Sequence, residues 1–239
     1  PDEAPPPGPP ATHLSDWGLD LLAWLPEPAR AAFARSARTR RFSPGETVYA
    51  IADPAREMFR VVSGMVRLAI WSADGREIVY GLLQAGDCFG AHDLVCGGRR
   101  THAAEARNRV VVQALDRRAF AELRTDHRAF DEALLRLVTG ELKLLATYFA
   151  AATFDEPPSF LARRLLDSAQ RDSARRLVVR LPQTELALLI GATRQTVNKI
   201  LRTFENEGLV ALGYGEVVIR DPAGLAALAE QGRSELSAR

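Results

Sequence analysis

Residues 182–201 read PQTELALLIGATRQTVNKIL, and this stretch decides how the C-terminal part of the chain folds. Leu186 and Ile190 have the spacing of apolar residues on the buried face of a helix. Gly191 follows them and allows a tight turn, because glycine adopts positive φ at little cost. Thr193 is then placed to cap the N-terminus of a second helix. The stretch predicts a helix-turn-helix unit.

The second helix of this unit combines an apolar inner face with a polar outer face. Its inner residues are Val197, Ile200, Leu201 and Phe204. Its outward side chains carry guanidinium, amide and ammonium groups and no carboxylate: Arg194, Gln195, Asn198, Lys199 and Arg202. In a DNA major groove arginine can bind guanine and an amide side chain can bind adenine. Threonine hydroxyls and helix N-terminal amides can hold phosphates.

We therefore predict a DNA-binding surface around the start of the second helix. Its members are side chains that can reach bases or phosphates: Gln183, Thr184, Thr193, Arg194, Gln195, Thr196, Asn198 and Lys199. A hairpin comes next in the chain, with strands over Leu209–Leu212 and Val217–Arg220 joined at Gly213-Tyr214-Gly215, and it has the shape of a wing. The alternative is a solvated helical hairpin whose polar face has no function.

Composition and charge fit an ordinary globular protein. The chain has 239 residues, of which 47% are hydrophobic and 26% charged, and its 31 basic and 30 acidic side chains leave a net charge of +1. These values exclude a disordered or collagen-like chain. Residues 159–220 carry ten basic and six acidic side chains, a local net charge of +4. A local positive charge is typical of a nucleic-acid-binding module.

Several features lead us to expect a cytoplasmic protein that is not an enzyme. No apolar run approaches the roughly 18 residues that span a bilayer, and no signal-peptide pattern opens the chain, so we expect no membrane partner. Cys88 and Cys96 are too few for a disulfide framework or a four-thiolate metal site. The sequence shows no Ser-His-Asp order, phosphate loop or metal-ligand spacing.

We divide the chain into four parts. Residues 1–12 include six prolines among the first ten positions and are expected to form a disordered arm. Residues 13–116 are expected to hold a β-rich sensor domain with flanking helices, the first of them over Trp17–Ala37. Residues 117–154 are expected to form a long helix region, and residues 155–239 the DNA-binding domain.

Short apolar runs separated by turn residues predict an antiparallel sandwich or barrel in the first half of the chain. The predicted strands are Val48–Ile51, Phe59–Val62, Met65–Trp71, Ile78–Leu83 and Val110–Leu115. The Asp74-Gly75 pair between the third and fourth runs is the strongest hairpin signal in the chain.

Residues 117–152 change to helical spacing and carry two apolar lines. One consists of Phe130, Leu134, Leu137, Leu144 and Tyr148. The other consists of Leu135, Val138, Leu142, Leu145, Phe149 and Ala152. Two lines on one helix predict two partners, the β-rich domain and a second copy of the chain, and we assign the first line to the dimer. The alternative is a helix buried in one large core. The segment Asp155-Glu156-Pro157-Pro158 ends the helix and predicts a hinge and a domain boundary.

From about Phe42 to Ile219 the chain resembles the CRP/FNR family of bacterial transcription regulators. Five motifs in family order carry the resemblance: Gly45-Glu46, Phe59–Gly64, Asp74–Ile78, Gly86–Gly90 and Thr193–Val197. The resemblance implies an α+β fold with an N-terminal antiparallel β-roll of the cyclic-nucleotide-binding type, a long dimerisation helix and a C-terminal winged helix-turn-helix. It also implies a homodimer on a near-palindromic operator in double-stranded DNA, and it leaves RNA polymerase open as a further partner.

The resemblance assigns roles to single residues. Arg194 matches a guanine-contacting arginine of the family, and Lys199 matches a second basic residue that reads bases. Gln195 stands where the family usually has glutamate. Because an amide pairs best with adenine and a carboxylate with cytosine, the known operators of the family cannot be assumed. Glu216 stands where a basic phosphate contact is common in the wing.

The expected effector pocket departs from the members that bind cyclic AMP. We place the pocket at Gly90, Ala91, Arg100, Thr101, Leu144 and Leu145. The Arg100-Thr101 pair is retained and can hold an anion, although Arg100 can also be a solvated loop residue. Ala91 replaces the ribose-binding glutamate, and apolar residues around Leu144-Leu145 replace the adenine-binding hydroxyls. Each lost hydrogen bond is worth about 0.5–1.5 kcal/mol, so cyclic AMP is not the expected effector.

The remaining cofactor alternatives rest on few residues. An iron–sulfur cluster is excluded, because no cysteine precedes Cys88. Haem stays open, since His92 stands where haem-containing members carry their iron ligand, but no other metal site is expected. A redox switch at Cys88 and Cys96 is a further alternative. The effector itself stays unknown, and a β-roll receptor for a small molecule or haem, with little or no DNA binding, is the alternative function.

Overall fold

The computed structural model describes the backbone of residues 19–234 and the side chains of residues 19–230. The predicted arm at 1–12 and the start of the first predicted helix lie outside the described residues. The rest of that predicted helix consists of one turn of 3-10 helix at Leu21–Trp24 and helix α1 at Glu27–Ser36. Pro26 separates the two, because proline at this position suits a helix start and cannot continue the preceding turn.

Eight antiparallel strands form the N-terminal β-roll. They are β1 (Arg38–Phe42), β2 (Thr47–Tyr49), β3 (Glu57–Ser63), β4 (Val66–Trp71), β5 (Glu77–Leu83), β6 (Cys88–Phe89), β7 (Ala103–Ala106) and β8 (Val110–Asp116). They make two four-stranded sheets with the orders β1-β8-β3-β6 and β2-β7-β4-β5. Helix α2 (Ala91–Cys96) lies between β6 and β7. The predicted antiparallel β fold is confirmed.

The hairpin predicted at Asp74-Gly75 joins β4 to β5, and Gly75 has the positive φ of 82° that such a turn needs. The sequence did not predict β1, β6 or β7. Strand β1 reads RTRRF and is exposed at four of its five residues, and β7 reads AAEA. Neither has an apolar run of strand-forming residues, so their backbone pairing to β8 and β4 holds them in the sheets.

The predicted helical region consists of two helices, α3 (Arg117–Asp126) and α4 (Arg128–Phe154). They meet at His127, whose backbone is extended at φ −133° and ψ 93°. Helix α4 has 27 residues and carries both apolar lines.

The structure corrects the assignment of the first apolar line to the dimer. Phe130, Leu134, Leu137 and Leu144 are buried in the core of the β-roll, and Tyr148 packs against that core. The second line is the exposed one, with large apolar side chains at Leu135, Leu142, Leu145 and Phe149. The two lines were assigned to the wrong partners because both have helical spacing, and only the packing of the β-roll distinguishes them.

The C-terminal part is a winged helix-turn-helix. Its elements are α5 (Pro157–Ser168), β9 (Gln170–Arg171), β10 (Leu177–Val179), α6 (Gln183–Ile190), α7 (Arg194–Asn206), β11 (Val210–Gly213), β12 (Glu216–Ile219) and α8 (Pro222–Ser234). The four strands form an antiparallel sheet with the order β11-β12-β10-β9.

The two halves of the protein share part of a hydrophobic core. One core cluster fills the β-roll together with α1, α3 and the inner line of α4. The other fills the winged helix-turn-helix and also includes Ala69, Val79 and Leu82 of the β-roll. The C-terminal half is therefore packed against strands β4 and β5. Within residues 19–234, no helix has the length and apolarity that crossing a membrane requires.

Candidate nucleic-acid interface and sensor cavity

The turn between α6 and α7 has the geometry predicted from Gly191 and Thr193. Gly191 is left-handed at φ 64°, and the N–H of Ala192 donates to the carbonyl of Ala187 at 3.0 Å. Thr193 caps α7, since its Oγ1 accepts from the N–H of Thr196 at 3.1 Å. These local bonds fix the direction in which α7 leaves the turn.

Helix α7 is amphipathic in the predicted way. Val197, Ile200, Leu201 and Phe204 are buried. On the opposite face Arg194, Gln195, Lys199 and Arg202 are exposed. The buried face fixes the helix to its domain and leaves the cationic and amide groups toward solvent.

The cations on this face differ in their partners. Arg202 is paired with Glu205 at 3.0 Å. Arg194 and Lys199 form no ion pair with any described residue. Both therefore keep their charge available for bases or phosphates. The N-terminus of α7 adds backbone N–H groups and a positive dipole end, which attract phosphate.

The remaining predicted DNA contacts lie close to this helix start. The Nδ2 of Asn198 donates to the Oε1 of Gln183 at 3.0 Å, so these two amides tie α7 to the first turn of α6. Thr184 is exposed, and the hydroxyls of Thr193 and Thr196 are 2.9 Å apart. The structure thus brings all eight predicted residues together, but Gln183 and Asn198 already bind each other.

A groove of about 530 Å³ separates α7 from the wing. Arg194, Asn198 and the wing residues from Leu212 to Val217 line it. Tyr214 is fully exposed at the wing tip. It was absent from the predicted contacts, although its position in the Gly-Tyr-Gly turn was a usable signal. Glu216 lies 3.6 Å from Arg180, so the wing acid is partly neutralised by its own protein.

The sensor half contains a cavity of about 170 Å³ between the β-roll and α4. Its lining is mainly apolar, with a few polar groups at Tyr80, His92, His102 and Glu141. Of the predicted effector pocket, Leu144 and Leu145 line this cavity. Gly90, Ala91, Arg100 and Thr101 are not among its lining residues, although their sequence neighbours Phe89, His92 and His102 are. Thr101 nevertheless lies beside this lining, since its Oγ1 is 3.3 Å from Nε2 of His92.

Arg100 is neither a solvated loop residue nor a free anion site. The residue is 3% exposed, and its guanidinium donates from Nη1 to the carbonyl of Gly90 at 2.8 Å. The same Nη1 lies 3.3 Å from Oδ2 of Asp93, and Nη2 donates to the carbonyl of Glu57. It also stacks over the ring of Tyr49 at 4.1 Å. Its charge and both terminal nitrogens are thus occupied by protein groups.

Gly90 is required at this place for a steric reason. A Cβ at this residue would meet the Nη1 of Arg100 at 2.7 Å, and its φ of 74° is one that other residues rarely adopt. Ala91 is completely buried and provides no acceptor. Gly90 therefore lets its loop lie close to Arg100, and Ala91 adds no polar side chain there.

His92 is engaged by three protein groups. Its Nδ1 lies 3.0 Å from Oε2 of Glu141 on α4, and its Nε2 lies 3.2 Å from Oδ1 of Asp93 and 3.3 Å from Oγ1 of Thr101. The hydrogen bond to Glu141 raises the pKa of His92. The neighbouring cavity is below the roughly 300–1,000 Å³ of ordinary ligand sites. Among the described residues, the space beside His92 is therefore smaller than a ligand of the size of haem needs.

His102 is a site residue that sequence reasoning missed. It is 4% exposed, and its Nε2 lies 2.7 Å from the hydroxyl of Tyr49. Burial, together with the charges of His92 and Arg100, lowers the pKa of His102 to about 3. The imidazole is therefore neutral at physiological pH. No local spacing marks it, because its partners come from β2 and α2.

The two cysteines do not form a redox pair of reactive thiols. Cys88 is buried in β6, and burial raises the pKa of its thiol to about 12. Cys96 is exposed at the end of α2. A protonated, buried thiol is a poor nucleophile, so the structure gives no support to a switch through Cys88.

The DNA-binding half contacts the cavity wall directly. Arg164 on α5 donates from Nη2 to the carbonyl of Tyr80 at 3.3 Å, and its guanidinium lies 5.7 Å from the ring centre of Tyr148. Nε2 of Gln170 donates to Oε1 of Gln84 at 2.8 Å. Tyr80 lines the cavity, so one hydrogen bond joins the cavity wall to α5.

Two parts of the chain match known domain families. Residues 39–127 match the cyclic nucleotide-binding domain, and residues 161–228 match the Crp-like helix-turn-helix domain. A CRP-like cAMP-activated global transcriptional regulator of Mycobacterium tuberculosis is 32% identical over 203 residues, which cover 83% of this chain and 91% of that protein. The transcriptional regulator LdrP of Thermus thermophilus is also 32% identical, with 83% and 99% covered.

Solved structures agree with these matches. TTHB099, a CRP family transcriptional regulator from Thermus thermophilus, has a TM-score of 0.64 and 31% identity over 80% of this chain and 96% of that chain. FixK2 from Bradyrhizobium japonicum has a TM-score of 0.73 at 23% identity, with the same coverage, and supports the fold. These relatives do not favour the alternative of a receptor without DNA binding. The chain belongs to the CRP/FNR family of transcription regulators, in which a sensor β-roll is joined by a long helix to a DNA-binding winged helix-turn-helix.

Proposed function

We propose that this regulator acts as a homodimer on a near-palindromic site in double-stranded DNA, with one α7 helix in the major groove of each half-site. The observation that carries the proposal is the exposed group of Arg194, Gln195 and Lys199, whose side chains bond to no described residue, on a helix whose other face is buried. A symmetric dimer of this kind reads half-sites about 34 Å apart.

The dimer proposal is supported by the outer line of α4. Leu135, Leu142 and Phe149 are 70%, 66% and 69% exposed on one long helix. Contiguous exposed apolar groups of this size mark an interaction surface. A second copy of the same helix, related by a two-fold axis, presents the same line and buries both.

Within the groove we assign base contacts to Arg194, Gln195 and Lys199, and phosphate contacts to Thr184, Thr193 and Thr196. Arginine can bind guanine through two hydrogen bonds, and glutamine can bind adenine in the same way. Gln183 and Asn198 hold α6 and α7 together through their 3.0 Å bond, and they contact DNA from that position.

The test is selection of bound sequences from a random DNA pool. For the parent protein we expect a two-fold symmetric motif. Arg194→Ala is expected to lose preference at one base of each half-site, at a cost of about 1–3 kcal/mol, and to keep salt-dependent non-specific binding. Arg118→Ala is the matched control, since Arg118 is an exposed arginine on α3, outside the DNA-binding domain. Identical motifs for Arg194→Ala and the parent contradict the proposal.

The effector that we propose for the β-roll is not cyclic AMP. Support comes from the occupied guanidinium of Arg100, the absence of an acceptor at Ala91, and the aliphatic Leu144 and Leu145 at the cavity. The expected result is a DNA affinity that changes less than about twofold when cyclic AMP is added. The cAMP-activated relative of Mycobacterium tuberculosis serves as the positive control. A tenfold gain in DNA affinity on addition of cyclic AMP contradicts this part of the proposal.

Two further elements of the proposal rest on the family alone. The compartment that we propose is the bacterial cytoplasm, where the chromosomal DNA lies. Contact with RNA polymerase is likewise a prediction, and a pull-down of polymerase on operator DNA tests it.

A further inference from the structure

Four polar side chains of the sensor domain lie close together at the edge of the cavity, and two of them line it. We call His92, Asp93, Thr101 and His102 the histidine cluster. One ligand atom each of His92, Asp93 and His102 lies within 4.8 Å of the others. His92 Nε2 and Asp93 Oδ1 are 3.2 Å apart, which matches the edge of a tetrahedron with metal–ligand bonds of about 2.0 Å.

The two imidazoles turn particular nitrogens toward each other. Oγ1 of Thr101 lies 3.3 Å from Nε2 of His92 and 3.3 Å from Nδ1 of His102. The ring centres are 5.5 Å apart with an interplanar angle of 28°. Nε2 of His92 and Nδ1 of His102 therefore share the side of the cluster where Thr101 lies.

The outward nitrogens of both rings have acceptors in place. Nδ1 of His92 lies 3.0 Å from the carboxylate of Glu141, and Nε2 of His102 lies 2.7 Å from the hydroxyl of Tyr49. Metal-binding histidines usually donate their other N–H to a carboxylate or another oxygen, and this fixes the tautomer and the ring orientation. The cluster has both outer partners already.

Charge and exposure also suit a cation. Asp93 is 3% exposed and provides one carboxylate, whose second oxygen is held by Arg100 at 3.3 Å. His102 is 4% exposed, so its imidazole is shielded from bulk water. The side chain of His92 is 30% exposed, so water can complete the coordination from outside.

We propose that Nε2 of His92, Oδ1 of Asp93 and Nδ1 of His102 bind one divalent first-row transition metal ion of the Zn²⁺ or Co²⁺ type. Two imidazoles and one carboxylate suit these ions better than Mg²⁺ or Ca²⁺, which prefer oxygen ligands only. Glu141 and Tyr49 orient the two rings. Glu141 belongs to α4, so the ion is connected to the dimerisation helix through one hydrogen bond. That regulatory role rests on the proposed function, whereas the binding site does not.

Binding is tested directly on the full chain, purified without a histidine tag and treated with a chelator. Zn²⁺ titration by calorimetry is expected to give one ion per chain, and Co²⁺ is expected to give visible absorption bands of a low-coordinate site. His92→Ala is expected to weaken Zn²⁺ binding more than about a hundredfold. Glu141→Gln is expected to weaken it about 10–100-fold, because Glu141 only orients the ring of His92. His102→Ala serves as a third variant if circular dichroism shows it folded. If His102→Ala does not fold, His92→Ala alone tests the site, because His92 is partly exposed and its replacement is less disruptive.

Three control variants remove other groups that bind metals. They are His13→Ala, Cys96→Ser and His127→Ala, and all are expected to bind Zn²⁺ as the parent does. Parental affinity in His92→Ala, or no stoichiometric binding by the parent, overturns the site.

DNA affinity with and without Zn²⁺ then separates the two proposals. A shift of about fivefold or more that disappears in His92→Ala supports regulation by the ion, and unchanged DNA affinity in the metal-loaded protein overturns it. Failure of the parent to bind DNA in either state contradicts the proposed function and leaves the metal result standing.

Discussion

Arg107, the residue after β7 in the sensor domain, forms an ion pair with Glu185 in the first turn of α6. The Glu185 side chain is only 8% exposed, and Arg107 is 31% exposed. Burial raises the pKa of Glu185, and Arg107 acts in the opposite direction. This pair, with the shared apolar core around Leu82, holds the DNA-binding domain against the β-roll.

We predict that Glu185→Gln weakens this docking. The variant leaves the guanidinium of Arg107 without its carboxylate, which costs about 1–3 kcal/mol in a partly buried setting. The expected result is faster protease cleavage near the junction of α4 and α5 and a lower thermal midpoint. Glu122→Gln is the control, since its pair with Arg118 is exposed. Equal cleavage rates in both variants contradict the prediction.

The pH dependence of stability should carry a contribution from Asp87. Burial raises the pKa of Asp87 to about 6, while its Oδ2 accepts from the N–H of Gln84 at 2.7 Å. The folded pKa lies above the unfolded value of about 3.9. Ionisation is therefore harder in the folded state, and this contribution to stability falls as the pH rises through roughly 4 to 6.

Asp87→Asn removes this ionisation and keeps an acceptor oxygen. We expect its free energy of unfolding, relative to the parent, to rise between about pH 4 and pH 7 by on the order of 2–3 kcal/mol. Urea unfolding at several pH values measures this difference. Asp74→Asn is the control with the opposite sign, because the bond from Ser72 lowers the pKa of that exposed carboxyl. If the difference in free energy of unfolding between Asp87→Asn and the parent does not change with pH, Asp87 does not have the raised pKa.

The two lines of α4 should respond differently to substitution. Phe130→Ala opens a cavity in the β-roll core and is expected to cost about 3–5 kcal/mol of folding stability. Phe149→Glu places a charge on the exposed line and is expected to raise the dimer dissociation constant by about a hundredfold, or roughly 3 kcal/mol.

Denaturant titration measures the folding stability of Phe130→Ala, and sedimentation velocity measures the dimer dissociation constant of Phe149→Glu. Lys143→Glu is the charge control, since Lys143 is exposed on the same helix. If Phe149→Glu remains a dimer at parental concentrations, the outer line is not the dimer surface.

Tyr214 at the wing tip should contribute to affinity without selecting bases. Tyr214→Ala is expected to weaken binding to all DNA sequences by about 0.5–1 kcal/mol, because a wing contact reaches the sugar–phosphate backbone. Fluorescence anisotropy on specific and random duplexes measures both affinities. A change confined to the specific duplex would assign base reading to the wing. Ser173→Ala, an exposed change in the β9–β10 turn, is the control.

Much of the fold was predictable because its signals are local. The Asp74-Gly75 turn, the Gly191 turn and the Thr193 cap each depend on a few adjacent residues, and the structure confirms them. The amphipathic character of α7 follows from spacing alone.

Tertiary packing decided the parts that local signals do not encode. Both lines of α4 have helical spacing, and the β-roll determines that Phe130 is inside and Phe149 outside. Arg100 was singled out from the sequence and placed near Gly90, but its partners Glu57 and Asp93 were not predictable. His102, which precedes β7, meets His92 of α2 only in the folded chain, where their ring centres are 5.5 Å apart. Periodicity specifies which face of an element is apolar, whereas the groups that meet across elements depend on how those faces pack.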